Sequence, residues 1–370
     1  MPTLHDLETP ALLLDPSVLD RNLTRMQARM DQLGVRLRPH VKTMKSIDVL
    51  RRIRGGTQAP ITVSTLKEAE YFLDYGVTNI LYAVGIAPGK LPHAAALTRR
   101  GADLTLILDS IEAAQTVKKA AVTFPVLIEL DVDGHRSGVS PDSLQLLEIA
   151  AVLGDSLRGV MTHAGESYNC TTTAAIVEMA EQERAGAVRA AERLRAAGFN
   201  SPVVSVGSTP TATFAANLGG VTEVRAGVYM FNDLVMAGIG VCRIDDIALS
   251  VLVSVIGHQA ERGWIITDGG WMALSRDRGT AQQRVDQGFG LVRRLDGVPD
   301  DLIVTSVNQE HGIIARRDGR SPDFGRYPVG TLLRILPNHA CATGAQHARY
   351  QVIEGDDPTV IACWERTNGW

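Results

Sequence analysis

The sequence predicts a parallel (β/α)8 barrel, a TIM barrel, followed by a second, mainly β domain. Eight strand-like runs alternate with helix-length amphipathic segments over about 200 residues, as a parallel barrel requires. After residue 240 the helical pattern gives way to a series of β-rich runs. An open, doubly wound sheet is the alternative architecture for the first part. The barrel strands are predicted at 35–41, 61–64, 79–84, 104–108, 125–131, 158–163, 203–206 and 223–229.

A short apolar run and a helix are predicted before the first barrel strand. Asp15 is suited to cap this helix, Pro16 to occupy its first position, and Gly34 to end it. The run at 11–14 is surplus to the eight barrel strands, so we expect it to join the second domain. The predicted domains are a barrel over 15–240 and a β domain formed by 1–14 and 241–370. The β runs of that domain are predicted at 247–256, 264–267, 302–307, 331–336 and 360–364.

The composition is that of an ordinary globular protein. Of the 370 residues 45% are hydrophobic and 21% are charged, and the net charge is -4. Because there is no basic excess, we expect neither a nucleic-acid partner nor a membrane partner. No apolar stretch approaches the roughly 18 residues of a membrane span, and the first residues carry charges, so we expect a cytoplasmic protein. The scattered cysteines suit a reducing compartment, and they are Cys170, Cys242, Cys341 and Cys363.

Lys42 lies at the end of the first predicted barrel strand, where a barrel places its active site. Most lysines are solvated surface residues, and this is the alternative interpretation. A lysine that binds pyridoxal phosphate needs a phosphate site and a group that tunes the cofactor ring. Polar residues follow other predicted strands at 131–138, which includes Arg136, and at 162–165, which includes His163. Tyr168 follows closely, and we expect all of these residues at one barrel mouth.

A phosphate site is predicted in the loops after the last two barrel strands. Residues 205–211 read Ser-Val-Gly-Ser-Thr-Pro-Thr, which combines hydroxyl groups with the beginning of a helix. Barrels of this kind bind phosphate in these two loops, and residues 225–229 supply the second one. The alternative for Ser208 is a plain helix N-cap.

His339 and Cys341 follow the β run at 331–336 and are two residues apart. In an extended chain such a pair points to one face of the strand. Imidazole and thiolate suit zinc, and a site with two protein ligands leaves positions for water and substrate. A second polar cluster at 308–312 is open to three interpretations, namely a second shell around the metal, a substrate contact or a loop turn.

Four motifs resemble those of one family of fold-type III pyridoxal-phosphate enzymes. They are Arg-Pro-His-Val-Lys-Thr at 38–43, Gly-His-Arg-Ser-Gly at 134–138, Thr-His-Ala-Gly at 162–165 and Pro-Asn-His-Ala-Cys at 337–341. Their order and spacing resemble the D-serine dehydratase and D-threonine aldolase family over residues 8–370. The resemblance implies an alanine-racemase-like fold that pairs as a homodimer.

The resemblance also implies roles for individual residues. Lys42 is the lysine that binds the cofactor, Arg136 lies near its phenolic oxygen, and His163 lies against its ring. Arg225 contacts the ring nitrogen and keeps it unprotonated. His339 and Cys341 bind a divalent metal, for which Zn²⁺ is expected and Mn²⁺, Co²⁺ or Mg²⁺ are alternatives. The residues implied around the phosphate are Gly207, Ser208, Thr209, Gly227, Val228 and Tyr229.

Dehydration of a D-β-hydroxy-α-amino acid is the implied reaction, converting D-threo-3-hydroxyaspartate to oxaloacetate or D-serine to pyruvate. The family's aldolases tend to carry His-x-Asp where this chain has Cys341, and a His where it has Tyr168. Tyr168 is therefore a candidate catalytic residue. Arg276 and His311 are candidates to bind a second substrate carboxylate. The alternatives are aldol cleavage to glycine and an aldehyde, and a non-catalytic carrier of pyridoxal phosphate.

Overall fold

The computed structural model describes residues 1–134, 136–297 and 300–370, so His135 of the motif at 134–138 lies outside the described residues. The described chain divides into two compact units. The barrel unit consists of Thr24–Gly227 and Thr367–Trp370, and the sheet unit consists of Met1–Leu23 and Val228–Arg366. The domain boundaries predicted from the sequence are 15–240 for the barrel and 1–14 with 241–370 for the β domain. These boundaries stay a prediction.

The strands, in chain order, are β1 (Ala11–Leu14), β2 (Arg36–Pro39), β3 (Ile61–Val63), β4 (Asn79–Gly85), β5 (Asp103–Leu108), β6 (Val126–Leu130), β7 (Leu157–Thr162), β8 (Val203–Val206), β9 (Glu223–Ala226), β10 (Leu249–Gln259), β11 (Trp264–Thr267), β12 (Leu291–Arg294), β13 (Leu302–Val307), β14 (Gly312–Arg316), β15 (Leu332–Leu336), β16 (Arg349–Val352) and β17 (Ala362–Glu365).

The α-helices are α1 (Pro16–Gln32), α2 (Ile47–Leu50), α3 (Leu66–Asp74), α4 (Leu91–Arg99), α5 (Ile111–Lys118), α6 (Gln145–Leu153), α7 (Thr173–Ala196), α8 (Thr209–Phe214), α9 (Leu234–Gly238), α10 (Trp271–Leu274) and α11 (Ala340–Gly344). The predicted start of α1 is confirmed, because Asp15 Oδ1 accepts hydrogen bonds from the N–H groups of Ser17 (2.9 Å) and Val18 (3.1 Å). None of the described helices combines the length and apolar character needed to cross a membrane.

The barrel unit contains a parallel sheet of eight strands in the order β2-β9-β8-β7-β6-β5-β4-β3. A parallel bridge between His40 and Thr62 joins the two ends of this order and closes the ring. The predicted (β/α)8 barrel is therefore confirmed, and the open doubly wound sheet is wrong. The last predicted run, 223–229, is too long, because β9 ends at Ala226 and Val228–Met230 forms a 3-10 turn.

The inward face of the barrel can be followed from strand to strand. Leu81, Ile107, Leu127 and Met161, from β4 to β7, form one buried cluster with Val203 of β8 packed against it. Side chains of a strand alternate between its two faces. Glu129, His163 and Ser205, each two residues after a member of this cluster, therefore point to the same face. These three polar residues thus lie on the inward face at the carboxyl ends of their strands.

The sheet unit contains nine strands in the order β11-β14-β13-β12-β15-β10-β1-β16-β17. Strand β1 pairs with β10 in antiparallel fashion and with β16 in parallel fashion. The predicted β-rich character of this part of the chain is confirmed. Strands β12, β14 and β16 were not expected from the sequence, because they are short and carry exposed or half-exposed polar residues, as Arg349 and Gln351 of β16 do.

Candidate functional site

Lys42 lies in a turn just beyond β2 rather than in the strand. The strand ends at Pro39, and the Val41 N–H donates to the Thr62 carbonyl (2.9 Å). The predicted run 35–41 is therefore too long at its carboxyl end. The turn then closes through hydrogen bonds from the N–H groups of Met44 (3.1 Å) and Lys45 (2.9 Å) to the Val41 carbonyl. Lys42 is thereby held at the carboxyl end of the barrel.

A buried ion pair stabilises this turn. Lys45 adopts the left-handed region with φ 44°, which is uncommon for a residue with a side chain. Its Nζ lies 3.2 Å from Oε1 of Glu68, whose side chain is 1% exposed. The N–H of Thr367 donates to the Lys45 carbonyl (2.8 Å). These contacts offset the unfavourable backbone conformation and limit the motion of the turn that carries Lys42.

Two neutral histidines lie near Lys42. Burial lowers the pKa of His163 to about 3, with the charge of Lys42 acting in the same direction. The pKa of His40 is also lowered well below its usual range, again chiefly by burial and then by Lys42. His163 Nδ1 donates to the Gly207 carbonyl (2.9 Å), so its Nε2 carries the lone pair. The Tyr168 ring centroid is 6.1 Å from that of His163. A neutral imidazole of fixed tautomer is therefore available to lie against a cofactor ring.

Arg225 is buried and held by hydrogen bonds from two sides. Its Nε donates to Ser205 Oγ (2.9 Å) and its Nη2 to the Thr162 carbonyl. Ser205 Oγ in turn donates to Glu223 Oε1 (2.8 Å), and Glu223 Oε2 accepts from Arg38 Nε (2.8 Å). Burial lowers the pKa of Arg225, while neighbouring carboxylates oppose this shift. A guanidinium remains charged at neutral pH, so Arg225 is suited to leave a ring nitrogen unprotonated.

Arg136 lies beside a second buried carboxylate. Its Nη2 is 3.6 Å from Glu129 Oε1, and Ser137 Oγ donates to Glu129 Oε2 (3.1 Å). Burial raises the pKa of Glu129, while the charge of Arg136 opposes the shift. The side chain of Arg136 is 47% exposed, so part of its guanidinium remains accessible to a ligand.

The loops after β8 and β9, predicted to bind phosphate, approach each other closely. Gly207 has φ +132°, and a Cβ on it would lie 2.2 Å from the Arg225 carbonyl oxygen. Ser208 is the N-cap of α8, because its Oγ accepts from the Thr211 N–H (3.2 Å). A Cβ on Gly227 would lie 2.8 Å from the His40 carbonyl oxygen, so this position also requires a glycine. Val228 and Tyr229 belong to the sheet unit, and their phosphate contact, like that of Thr209, stays a prediction.

These residues fit pyridoxal phosphate. Lys42 supplies an amine, His163 a neutral ring and Arg225 a buried cation. Thr62 Oγ1 is buried and has no hydrogen-bond partner among the described residues. Thr62 is in register with Leu81, so it points into the barrel. An unsatisfied buried hydroxyl is unfavourable, and a ligand bound in the barrel is a means of satisfying it.

His339 and Cys341 do not lie in an extended chain, and the expectation that they share one face of a strand is wrong. Strand β15 ends at Leu336, His339 is the N-cap of α11, and Cys341 lies in its first turn. The Ala340 N–H donates to Asp233 Oδ2 (3.0 Å), which turns the chain into this helix. Cys341 is nevertheless close enough to His339 for its charge to raise the pKa of the imidazole.

The surroundings of His339 are suited to a cation. Burial lowers its pKa, but the negative charge of Cys341 and the hydrogen bond to Asp277 raise it to about 11. His339 Nδ1 donates to Asp277 Oδ2 (2.7 Å), which leaves Nε2 available as a ligand. Among the described residues no group of three or more His, Cys, Asp or Glu residues could hold a metal. A metal held by two protein ligands has coordination positions left for water and substrate.

Replacing Asp277 with asparagine is expected to weaken metal binding by a factor of about 10–100, because a carboxylate behind a ligating histidine fixes its tautomer and raises its basicity. Competition with a chromophoric chelator measures the affinity. Asp245→Asn is the matched control, because Asp245 is an exposed carboxylate in the same unit that pairs with Arg293 (2.6 Å). Equal metal affinity in the Asp277→Asn variant and the wild type contradicts the assigned role.

The cluster at 308–312 is a loop turn. It connects β13 to β14, with the Asn308 N–H donating to the His311 carbonyl (2.8 Å). The Asn308 carbonyl accepts from the Trp271 N–H (2.9 Å) at the beginning of α10. Arg276 stacks over the Trp271 ring, 5.5 Å from its centroid. Arg276 and His311 are both exposed, and their contact with a substrate carboxylate stays a prediction.

Two carboxylates at these sites were not found from the sequence. Asp277 lies 62 residues before His339 in the chain, so no spacing connects them. Glu183 could have been found from the sequence. It occupies a position in the buried stripe of α7, which is formed by Ile176, Ala180, Ala187 and Leu194. A carboxylate in an apolar stripe indicates a buried acceptor.

Comparison with known proteins gives full-length relatives. The alanine racemase N-terminal domain matches residues 14–234, and a putative serine dehydratase domain matches residues 248–353. D-threo-3-hydroxyaspartate dehydratase from Delftia sp. (strain HT23) is 56% identical over 379 residues, covering 100% of this chain and 99% of that protein. Its solved structure has a TM-score of 0.96 and covers 100% of both chains. D-serine dehydratase from Dictyostelium discoideum is 30% identical and covers 96% of each protein.

Further structures extend the comparison. Two solved structures of D-threo-3-hydroxyaspartate dehydratase mutants each have a TM-score of 0.96. One mutant replaces a histidine by alanine, and the other replaces a cysteine two positions further along the chain by alanine. The cysteine mutant is described as being in the metal-free form. D-threonine aldolase from Filomicrobium marinum has a TM-score of 0.82 at 24% identity and covers 98% of this chain and 96% of its own, which shows a shared fold.

Proposed function

Because this chain belongs to the family that joins an alanine racemase N-terminal domain to a serine dehydratase domain, we propose that it is a pyridoxal-phosphate- and metal-dependent lyase. It dehydrates D-threo-3-hydroxyaspartate to oxaloacetate and ammonia, with D-serine to pyruvate as a second activity. The full-length identity of 56% to D-threo-3-hydroxyaspartate dehydratase carries this proposal.

The metal pair supports the choice of reaction. His339 and Cys341 have the same spacing as the histidine and cysteine replaced in the two mutant structures. A divalent metal on this pair supplies a Lewis acid for the substrate hydroxyl, and Zn²⁺ suits imidazole and thiolate, with Mn²⁺, Co²⁺ and Mg²⁺ as alternatives. Asp277 holds His339 in the tautomer that presents Nε2.

The barrel unit supplies the proton chemistry. Pyridoxal phosphate bound at Lys42 supplies an electron sink for the α-carbon. Lys42 Nζ would hold the cofactor and would serve as the base that accepts the substrate α-proton. His163, neutral because its burial lowers its pKa, would lie against the cofactor ring, and Arg225 would leave the ring nitrogen unprotonated. Arg136 would lie near the phenolic oxygen, and the loops at Gly207 and Gly227 would hold the phosphate.

Aldol cleavage to glycine and an aldehyde is the second candidate. It uses the same cofactor and metal, and the fold is shared with a D-threonine aldolase. Tyr168 stands against it, because a neutral phenol is a weaker base for the substrate hydroxyl than the histidine that the family's aldolases carry there. A carrier of pyridoxal phosphate without catalysis is a weaker alternative, because a carrier has no use for a Lewis acid.

The test incubates metal-loaded protein with D-threo-3-hydroxyaspartate, D-serine and D-threonine in parallel. Keto acid, ammonia, glycine and aldehyde are measured in each reaction. We expect keto acid and ammonia in equal amounts, with the highest kcat/KM for D-threo-3-hydroxyaspartate. Glycine and aldehyde as the main products would favour the aldolase, and a bound cofactor without any product would favour the carrier.

We further propose a cytoplasmic homodimer that acts on a small D-amino acid, with Arg276 and His311 binding the second carboxylate of the substrate. The dimer follows from the resemblance to alanine-racemase-like enzymes. Sedimentation equilibrium of the holoenzyme tests it, and a mass near that of one 39.8 kDa chain contradicts it.

A further inference from the structure

Glu183 is a buried carboxylate that the mechanism does not use. It lies on α7 with 2% of its surface exposed. Its Oε1 accepts hydrogen bonds from the N–H groups of Ala164 (3.0 Å) and Gly207 (2.9 Å), and its Oε2 accepts from Thr211 Oγ1 (2.7 Å). Burying a carboxyl group in a helix stripe is unfavourable unless it is hydrogen-bonded. Three donors from two loops and α8 offset that cost.

These contacts close a ring of hydrogen bonds around His163. Ala164 follows His163 directly, and its N–H is held by Glu183. Gly207 donates its N–H to the same oxygen, while its carbonyl accepts from His163 Nδ1 (2.9 Å). Both sides of the Gly207 backbone are therefore fixed. Glu183 thus holds the residue after His163 and the residue that accepts the hydrogen bond from the His163 ring.

The third contact of Glu183 extends to the predicted phosphate loop. Thr211 Oγ1 accepts from the Ser208 N–H (3.1 Å), and Ser208 Oγ accepts from the Thr211 N–H (3.2 Å). Ser208 Oγ also lies 2.8 Å from Ser167 Oγ, in the loop that carries His163. The carboxyl group thus connects the start of α8 to the loop after β7. Neither loop can shift without breaking a contact to Glu183 or to a residue that it holds.

We propose that Glu183 is a positioning residue of the cofactor site. Through Ala164 and Gly207 it sets the orientation and the tautomer of His163, and through Thr211 it sets the loop that binds the phosphate. This inference rests on the proposed function, because it takes pyridoxal phosphate as the ligand of these loops.

The test compares three substitutions of Glu183 in the full chain. Glu183→Leu removes every acceptor, Glu183→Asp keeps a carboxyl group on a shorter side chain, and Glu183→Gln keeps the length and one oxygen acceptor. The affinity for pyridoxal phosphate is measured by titration of cofactor-free protein. The His163 tautomer is measured by nitrogen NMR of histidine-labelled protein, with His163→Gln to assign the signal. Glu192→Leu, an exposed position on the same helix, is the control.

We expect Glu183→Leu to weaken cofactor binding at least ~10-fold, because it leaves two buried N–H groups without an acceptor. The Nδ1–H tautomer of His163 should be lost in the same variant. Glu183→Gln should bind within ~3-fold of the wild type, and Glu183→Asp should bind more weakly than Glu183→Gln. If Glu183→Leu does not fold, the proposal is tested by whether Glu183→Gln binds the cofactor more tightly than Glu183→Asp.

A lower melting temperature with unchanged cofactor affinity and tautomer overturns the proposal, as does a Glu183→Asp variant that binds as well as Glu183→Gln. The test is independent of turnover. A wild type that binds the cofactor without dehydrating any substrate contradicts the proposed function and leaves this inference standing. A wild type that does not bind pyridoxal phosphate also contradicts the proposed function. In that case the positioning role of Glu183 is tested by whether Glu183→Leu loses the Nδ1–H tautomer of His163 that the wild type has.

Discussion

Replacing Lys42 with alanine is expected to abolish covalent attachment of pyridoxal phosphate and to lower turnover by a factor of at least ~10²–10⁴. The covalent link to the cofactor is lost, and so is the base that accepts the α-proton, which alone contributes a factor of this order. The visible absorption band of a lysine-bound cofactor should disappear. Mass spectrometry after borohydride reduction should find no cofactor on the chain.

The matched control is Lys67→Ala. Lys67 is an exposed lysine of the barrel unit that pairs with Glu70 (2.9 Å), so its loss should leave both the absorption band and turnover unchanged. Persistence of the band in the Lys42→Ala variant contradicts the assignment of Lys42. Loss of the band in both variants indicates damage to the barrel rather than removal of the cofactor lysine.

Replacing Cys341 with alanine is expected to release the metal and lower turnover at least ~10²-fold, since a Lewis acid contributes several kcal/mol and each ~1.4 kcal/mol is a factor of ten. The absorption spectrum of the bound cofactor should remain, because Lys42 is untouched. Elemental analysis and spectroscopy of the same sample measure both quantities. Cofactor binding and metal binding are thereby separated in one variant.

Cys363→Ala is the control for this experiment, because Cys363 is an exposed free cysteine of the same unit. It should retain metal and turnover at the level of the wild type. Full turnover by a Cys341→Ala variant that holds no metal contradicts the Lewis-acid role. Loss of the cofactor spectrum together with the metal would mean that the variant perturbs the barrel unit as well.

The barrel was predictable from the sequence because eight strand-like runs alternate with mostly helix-length amphipathic segments. The strand ends were less predictable. The first run was predicted to reach Val41, but the chain turns after Pro39, and the turn depends on the bridge between His40 and Thr62 from another strand. Similarly, the run at 223–229 reads as one strand, although it ends at Ala226.

The chemistry of the candidate sites was predictable only where residues are close in the chain. The pair of His339 and Cys341 was found by its spacing, but its expected extended conformation was wrong, because Asp233 turns the chain into a helix there. The partners that orient the site residues come from distant segments. Asp277 on His339 and Glu183 behind His163 are contacts of the folded chain that no local pattern contains.

The fate of the α-hydrogen tests the central claim most directly. Metal-loaded protein is incubated with D-threo-3-hydroxyaspartate that carries deuterium at the α-carbon, and the products are followed by NMR and mass spectrometry. Dehydration breaks the bond to the α-hydrogen, so we predict that the deuterium passes to solvent while oxaloacetate and ammonia form. Aldol cleavage breaks the bond between the α- and β-carbons instead. Glycine that retains the deuterium would contradict the account.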